Sequence, residues 1–325
     1  MEIREYTLKN DYLEISFINL GATITKLIDL KSGINVIVSH HDLETYKTNP
    51  GYLNSVIGRH AGRTLDVTLN GITYEVTKNH DIYQLHGGIK GFNTKYFEVE
   101  EALNQITFKT TSPHLEEGYP GNVVFEITYR LVENELHLEY KGTSDQLTIM
   151  SFTNHAYFNL NRQIEDTILN HDLLINADRY LQLGSDFVPY QSASLLGSPL
   201  DFSESKPIGR DINQEDEQVK IASGFDHPYL INKTEEINHV ATVSNDELTL
   251  EVFSDQDVVV LYTGNFMDET LTLNDGIKGN KNYALCLETQ GIPNASNIEE
   301  FKGRNEYQVG EVYRQTTIWR LTNKN

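Results

Sequence analysis

Apolar and polar residues alternate with a period of two along most of the chain, as in strands with one face buried and one wet. Residues 12–17 (YLEISF), 22–30 and 35–38 read as short strands, and Lys31-Ser32-Gly33 turns the chain between the last two. Asn70-Gly71 separates 67–69 from 72–76 and supplies the positive φ that a two-residue hairpin needs. From 96 to 149 the alternation becomes a long meander over 97–99, 106–110, 123–131, 135–140 and 147–149, with turns at Pro120-Gly121 and Glu133-Asn134. It resumes as two short strands in 171–183, then in 224–231, 239–244, 247–253, 258–262 and 283–288. A last amphipathic strand over 310–321 is expected to close a sheet running from one end of the chain to the other. No heptad and no short repeat interrupts the pattern. The chain reads as all-β and antiparallel.

Some stretches depart from it. Residues 151–161 (SFTNHAYFNLN) look like a buried strand with no acidic or basic residue except His155. An imidazole in such a setting is either a core residue satisfied by a carbonyl or a group that exchanges protons near neutrality. GRHAGR, 58–63, places Gly58 before Arg59 and Gly62 before Arg63, but lacks the spacing of a phosphate loop. Its arginines suit either surface ion pairs or, for Arg63, a ligand brought close by the turn. His86 ends a strand and runs into Gly87-Gly88. Residues 164–170 fit one helical turn or a loop, and 184–216, rich in Ser, Pro, Asp and Gly, a long ordered loop over a pocket. Asp226 precedes a strand, and Glu288 is expected at the tip of the strand 283–288, before a Gly/Pro turn. His137 shares the polar phase with Glu135 and Glu139 and is expected to be solvated. His40-His41 would face opposite sides of a strand, a poor joint metal site.

Composition narrows the functions. The 325 residues exceed the usual domain length, but all-β units often run long, so one domain over 1–325 is expected. An apolar fraction of 38% suffices for a core, and 18 tyrosines with 13 phenylalanines favour strands. A net charge of -21 repels nucleic acid and anionic membrane surfaces. The lone Cys286 permits no internal disulfide and suits a reducing compartment. MEIREYTLKN lacks the apolar core of a signal peptide, and no run approaches the ~18 apolar residues of a membrane span. A cytoplasmic protein is expected.

Arg63, His86, His155, Asp226 and Glu288 lie far apart in sequence, each at a strand end or turn that could line a pocket. Together they supply two proton-transfer groups and several hydrogen-bonding groups, with no metal or cofactor motif. Such a set suits proton shuffling on a sugar better than ester hydrolysis or phosphoryl transfer. No GxSxG elbow is present, and Cys286 sits mid-strand.

TNHAYFNL, LHGG, GRHAGR, LYTGNF and CLETQ occur in the order and approximate spacing of the aldose 1-epimerases, and the stretch from about Asn54 to Asn294 resembles that family. The resemblance implies a large antiparallel β-sandwich of the galactose mutarotase-like supersandwich type, with a sugar cleft on one face. It implies that His155 is the general acid and Glu288 the general base, with Arg63, His86 and Asp226 as substrate-binding residues. The expected partner is a free aldose such as galactose or glucose, handled without cofactor by a monomer or homodimer. Three positions depart from the family: Gly62 stands where Asn is common, Val260 where some members have Gln, and Tyr96 where Trp is common. These departures bear on substrate preference more than on the acid–base pair. A hexose-6-phosphate 1-epimerase, with Arg59 and Lys90 as phosphate candidates, and a non-catalytic sugar-binding module are the alternatives.

Overall fold

A computed structural model describes residues 2–324, and its regular secondary structure is almost entirely antiparallel sheet. The largest has nine strands, in the order Glu98–Ala102, Gln105–Ser112, Val123–Val132, Glu135–Ser144, Val312–Asn323, Leu248–Ser254, Asn238–Ser244, Asp172–Ile175 and Lys206–Pro207. Its alternation is the one written in the sequence. Register places Ile127 opposite Tyr140 and Tyr129 opposite Leu138, all turned inward and buried. Each such side chain contributes ~1.5–3 kcal/mol when removed from water. The outer face carries Lys109, Glu126, Lys141 and Arg314 side by side across four strands.

A five-stranded sheet packs against that inner face, in the order Pro189–Ser194, Ala177–Leu183, Asp226–Ile231, Val258–Tyr262 and Cys286–Gln290. Tyr229, Val259, Leu261 and Leu287 join the same core as the large sheet. The opposite face of these strands is covered too, so Val258–Tyr262 and Cys286–Gln290 are buried at every position and lose the alternation. A four-stranded sheet, Glu5–Lys9 to Ile34–Asn35, packs its Ile15, Phe17 and Ile24 into the common core.

Several expectations need correction. Val312–Asn323 closes no edge; it lies between Glu135–Ser144 and Leu248–Ser254, where Trp319 and Leu321 find neighbours on both sides. Residues 151–161 form a strand only at Thr153–Asn154, which pairs with Val56–Ile57. The remainder crosses between sheets, and Asn54 replaces the missing ladder: its Oδ1 accepts from the Tyr157 N–H at 2.9 Å. The stretch 184–216 contains the strands Pro189–Ser194 and Lys206–Pro207, and the helix Glu217–Ala222 follows, N-capped by Asp216. In 164–170, expected as one helical turn or a loop, Ile168–Asn170 is a single 3₁₀ turn, in line with that expectation. His137 is half-buried rather than solvated, because its Nε2 meets the Glu135 carboxylate at 2.7 Å. Among the described residues no helix is long and apolar enough to cross a membrane.

Candidate active site

The covered face of the five-stranded sheet opens into a pocket of about 450 Å³. Its floor follows from strand register. Asp226 lies opposite Tyr262, and Pro228, Val260 and Glu288 form one row across three strands. Tyr52, Gly62, Arg63, His86, His155 and Tyr157 line the pocket together with Leu183, Phe187, Pro189 and Phe266. All five residues singled out in the sequence, Arg63, His86, His155, Asp226 and Glu288, line this cavity.

Glu288 is the third residue of Cys286–Gln290, so it stands mid-strand rather than at a tip. The strand continues because Thr289 and Gln290 pair with Val259 and Val258. Its carboxyl is 2% exposed, and Oε2 has no hydrogen-bond partner. Burial pushes its pKa well above the usual carboxylate value, Asp226 adds to the effect and Arg63 opposes it. His155 faces it, with Nε2 3.6 Å from Glu288 Oε1. The backbone of His155 is pinned on both sides, its N–H donating to Ser55 O and its carbonyl accepting from Asn54 N–H. Burial, with Arg63 nearby, lowers its pKa to about 4.

His86 adopts φ +52 and its Nδ1 accepts from the Gly62 N–H at 3.2 Å. That bond places the proton of the neutral ring on Nε2, which presents a donor. Burial first, then His155 and Arg63, hold its pKa well below the ordinary value. The following glycine is dictated by space: a Cβ on Gly87 would stand 2.0 Å from Gly58 O. One donor atom each of His86, His155 and Glu288 lies within 4.8 Å of the others, a spacing that would suit a metal ion. The Gly62 bond argues otherwise, because the nitrogen left to His86 carries a hydrogen.

Arg63 Nη2 meets Asp226 Oδ2 at 3.2 Å, and its Nε is buried without a partner. Burial works against the guanidinium charge, but Asp226 and Tyr83 outweigh it and raise the pKa. Its Cζ lies 5.2 Å from the Phe187 ring centroid and 5.9 Å from that of Tyr83.

Arg59, by contrast, lies outside the cavity, buried rather than in surface ion pairs, and Lys90 is exposed elsewhere. Gly62 and Val260 line the pocket, whereas Tyr96 packs beside Leu20 away from it and has no direct bearing on a ligand there. Sequence reasoning missed Tyr52, Tyr83, Tyr157 and Phe266, and reached Phe187 only as part of the 184–216 loop expected over a pocket. The available signal was an aromatic residue beside a turn, as in Pro50-Gly51-Tyr52 and Asp186-Phe187-Val188-Pro189.

The sequence profile of the family described as Aldose 1-epimerase matches residues 4–320. The chain is 32% identical to the galactose mutarotase of Sus scrofa over 323 residues, covering 97% of this chain and 93% of that one. Among solved structures, an aldose epimerase homologue from C. elegans superposes with a TM-score of 0.90 at 22% identity, covering 100% of both chains. Galactose 1-epimerase from Lactobacillus acidophilus NCFM gives a TM-score of 0.88 at 27% identity, over 100% of this chain and 96% of that one.

Proposed function

The chain belongs to the aldose 1-epimerase family, and from that premise we propose that His155 and Glu288 open and reclose the ring of a free aldose while Arg63, His86 and Asp226 hold its hydroxyls. The protein is an isomerase, a mutarotase that interconverts α and β anomers. One observation supports the residue assignment above the others: His155 Nε2 and Glu288 Oε1 face each other at 3.6 Å in the pocket, and Glu288 Oε2 is left unpaired.

Glu288 takes the proton of the anomeric hydroxyl as His155 protonates the ring oxygen, and the hemiacetal opens to the aldehyde. Rotation about C1–C2 presents the other carbonyl face, and the two transfers reverse on closure. General acid–base help of this kind contributes ~10²–10⁴-fold. The pair carries one proton between its two groups. Opening the ring turns a carboxylate and an imidazolium into a carboxylic acid and a neutral imidazole. That is the charge state burial favours at both residues. Burial therefore makes the carboxylate–imidazolium form, from which ring opening starts, the costlier of the two charge states. Arg63 and the Nε2–H of His86 supply donors, and Asp226 an acceptor, that fix the sugar for these transfers.

Galactose and glucose are the sugars we assign. A 6-phosphate finds little here: Arg63 is the one Lys or Arg among the lining residues, and Asp226 already engages it. Polarimetry of freshly dissolved α-D-galactose and α-D-glucose, with wild-type protein and His155→Ala, tests the reading. Rapid relaxation that vanishes in the variant is expected. No acceleration with either sugar would overturn it.

A further inference from the structure

His155 poses a positioning problem. An imidazole that moves protons is commonly oriented by an acceptor at its second nitrogen. Here Nδ1 is buried and closes no hydrogen bond; its own residue's carbonyl is near enough only to favour the charged form. Aromatic rings surround it instead. The Tyr157 ring lies 5.0 Å away at 13° and the Tyr52 ring 6.3 Å away at 17°, both nearly parallel to the imidazole. His86 and Tyr262 meet it edge-on at 5.0 and 6.4 Å.

Tyr52 reaches that place through an unfavourable backbone. Its φ is +58, a region bulky residues rarely adopt, in a turn where Asn49 and Gly51 are also left-handed. Side chains then tie the turn to the rings: Tyr157 OH donates to Gly51 O at 2.8 Å, and Asn79 Nδ2 donates to Tyr52 OH at 3.3 Å. Tyr52 also meets His86 edge-on at 4.8 Å, so one ring touches both pocket histidines.

We propose that Tyr52 and Tyr157 are positioning residues for His155, whose ring faces fix the imidazole plane in place of an Nδ1 hydrogen bond and stabilise its protonated form. The faces of aromatic rings are electron-rich and attract cations. The charged and titratable groups around His155 are Glu288 and Cys286 on one strand, Tyr262 on the adjacent strand and Asp226 on the next, Tyr52 and Tyr157 stacked on the ring, and Arg63 and His86 beside it in the pocket. Glu288 and Asp226 favour an imidazolium, Arg63 opposes it, and neutral His86 and buried Cys286 add no charge. The tyrosine faces lower the cost of the one state that burial disfavours and acid catalysis requires. The inference rests on the reading of His155 as the acid.

The test compares Tyr52→Leu, Tyr52→Phe and Tyr157→Phe by polarimetric kcat and KM across pH, together with ¹⁵N NMR titration of the His155 imidazole. Tyr52→Leu is expected to lower kcat ~3–30-fold, the range of a cation–π contact, with KM within about twofold. Its acid limb and the His155 titration should both move to lower pH, while the two phenylalanine variants, which keep the rings, stay near wild type. Unchanged kcat and titration in Tyr52→Leu would overturn the proposal, as would a Tyr52→Phe variant as impaired as Tyr52→Leu. Wild-type protein inactive on aldoses would sink the mutarotase assignment instead, and the NMR titration would still read the effect of the rings.

Discussion

Arg59 and Arg63 come from one short loop, each behind a glycine, and the fold puts them to opposite uses. The Arg59 guanidinium, 2% exposed, donates to the carbonyls of Ser112, Pro113, Pro120 and Gly121 and to the hydroxyls of Ser112 and Thr148. Burial lowers its pKa to about 10, partly offset by Glu116, and it remains charged at neutral pH. Arg63 has one carboxylate, two aromatic faces and an unused Nε. Around Arg59 each nitrogen is used, which is what stability asks of a buried cation. Around Arg63 the valences stay open: Glu288 Oε2, His155 Nδ1 and Gln290 Oε1 are also buried and unpaired among the pocket residues. A satisfied buried polar group holds the fold, and an unsatisfied one beside a cavity is available to a ligand.

The largest effect should fall on the unsatisfied side. Glu288→Gln and His155→Ala are expected to lower mutarotation kcat by ~10²–10⁴-fold, as loss of a general acid or base does, with the urea midpoint little changed. Arg59→Met should do the reverse. It strands four backbone carbonyls and is expected to cost about 3–5 kcal/mol in urea unfolding, with kcat per folded molecule retained. If Arg59→Met instead raised KM in a stably folded protein, the division between the two arginines would fail. Arg63→Met sharpens it: KM for galactose should rise ~10–100-fold, the worth of one charge-assisted contact, with a smaller loss of stability than Arg59→Met.

Protonation separates the regions further. His60, His155 and His171 are held near 4 and His227 near 3, each mainly by burial, against an ordinary 6.5. Below 6.5 the unfolded chain binds protons that the folded one refuses, so stability rises with pH from about 4 to 6.5 and is fully present above. Glu288 has the opposite sign: its folded pKa is raised, so its contribution is present at low pH and wanes as pH rises toward that value. A urea midpoint that drops from pH 7 to pH 4.5 is expected. His60→Gln, outside the pocket, should flatten the slope by up to ~1.4 kcal/mol per pH unit without altering the pH–rate profile. The smallest effect belongs to exposed Lys90: Lys90→Ala should leave KM for aldoses within about twofold, and a larger change would reopen the phosphate-sugar alternative.

Much of this was legible beforehand, for reasons that differ by residue. The meander of 123–140 announced itself because one face is wet, and a period of two survives wherever water covers one side. His86 and Asp226 could be picked out because glycine turns and strand ends are where side chains commonly line pockets. Glu288 was harder to place, since a strand covered on both faces shows no alternation and its end cannot be read. Arg59 was misjudged as a surface residue, because the carbonyls that satisfy it come from residues 112–121, remote in sequence. Tyr52 went unnoticed as a pocket residue, and Phe187 was anticipated only through its loop. Their backbones take φ of +58 and +65, and only the assembled surroundings hold bulky residues in that conformation.

The sequence by itself determined the strand pattern, the turn chemistry and the supply of titratable groups, all local properties of period and residue type. The tertiary structure alone decided that five distant residues share one cavity, that one arginine is satisfied while its neighbour is not, and which histidines are stripped of water. Pairing, desolvation and open valence arise only when sheets meet.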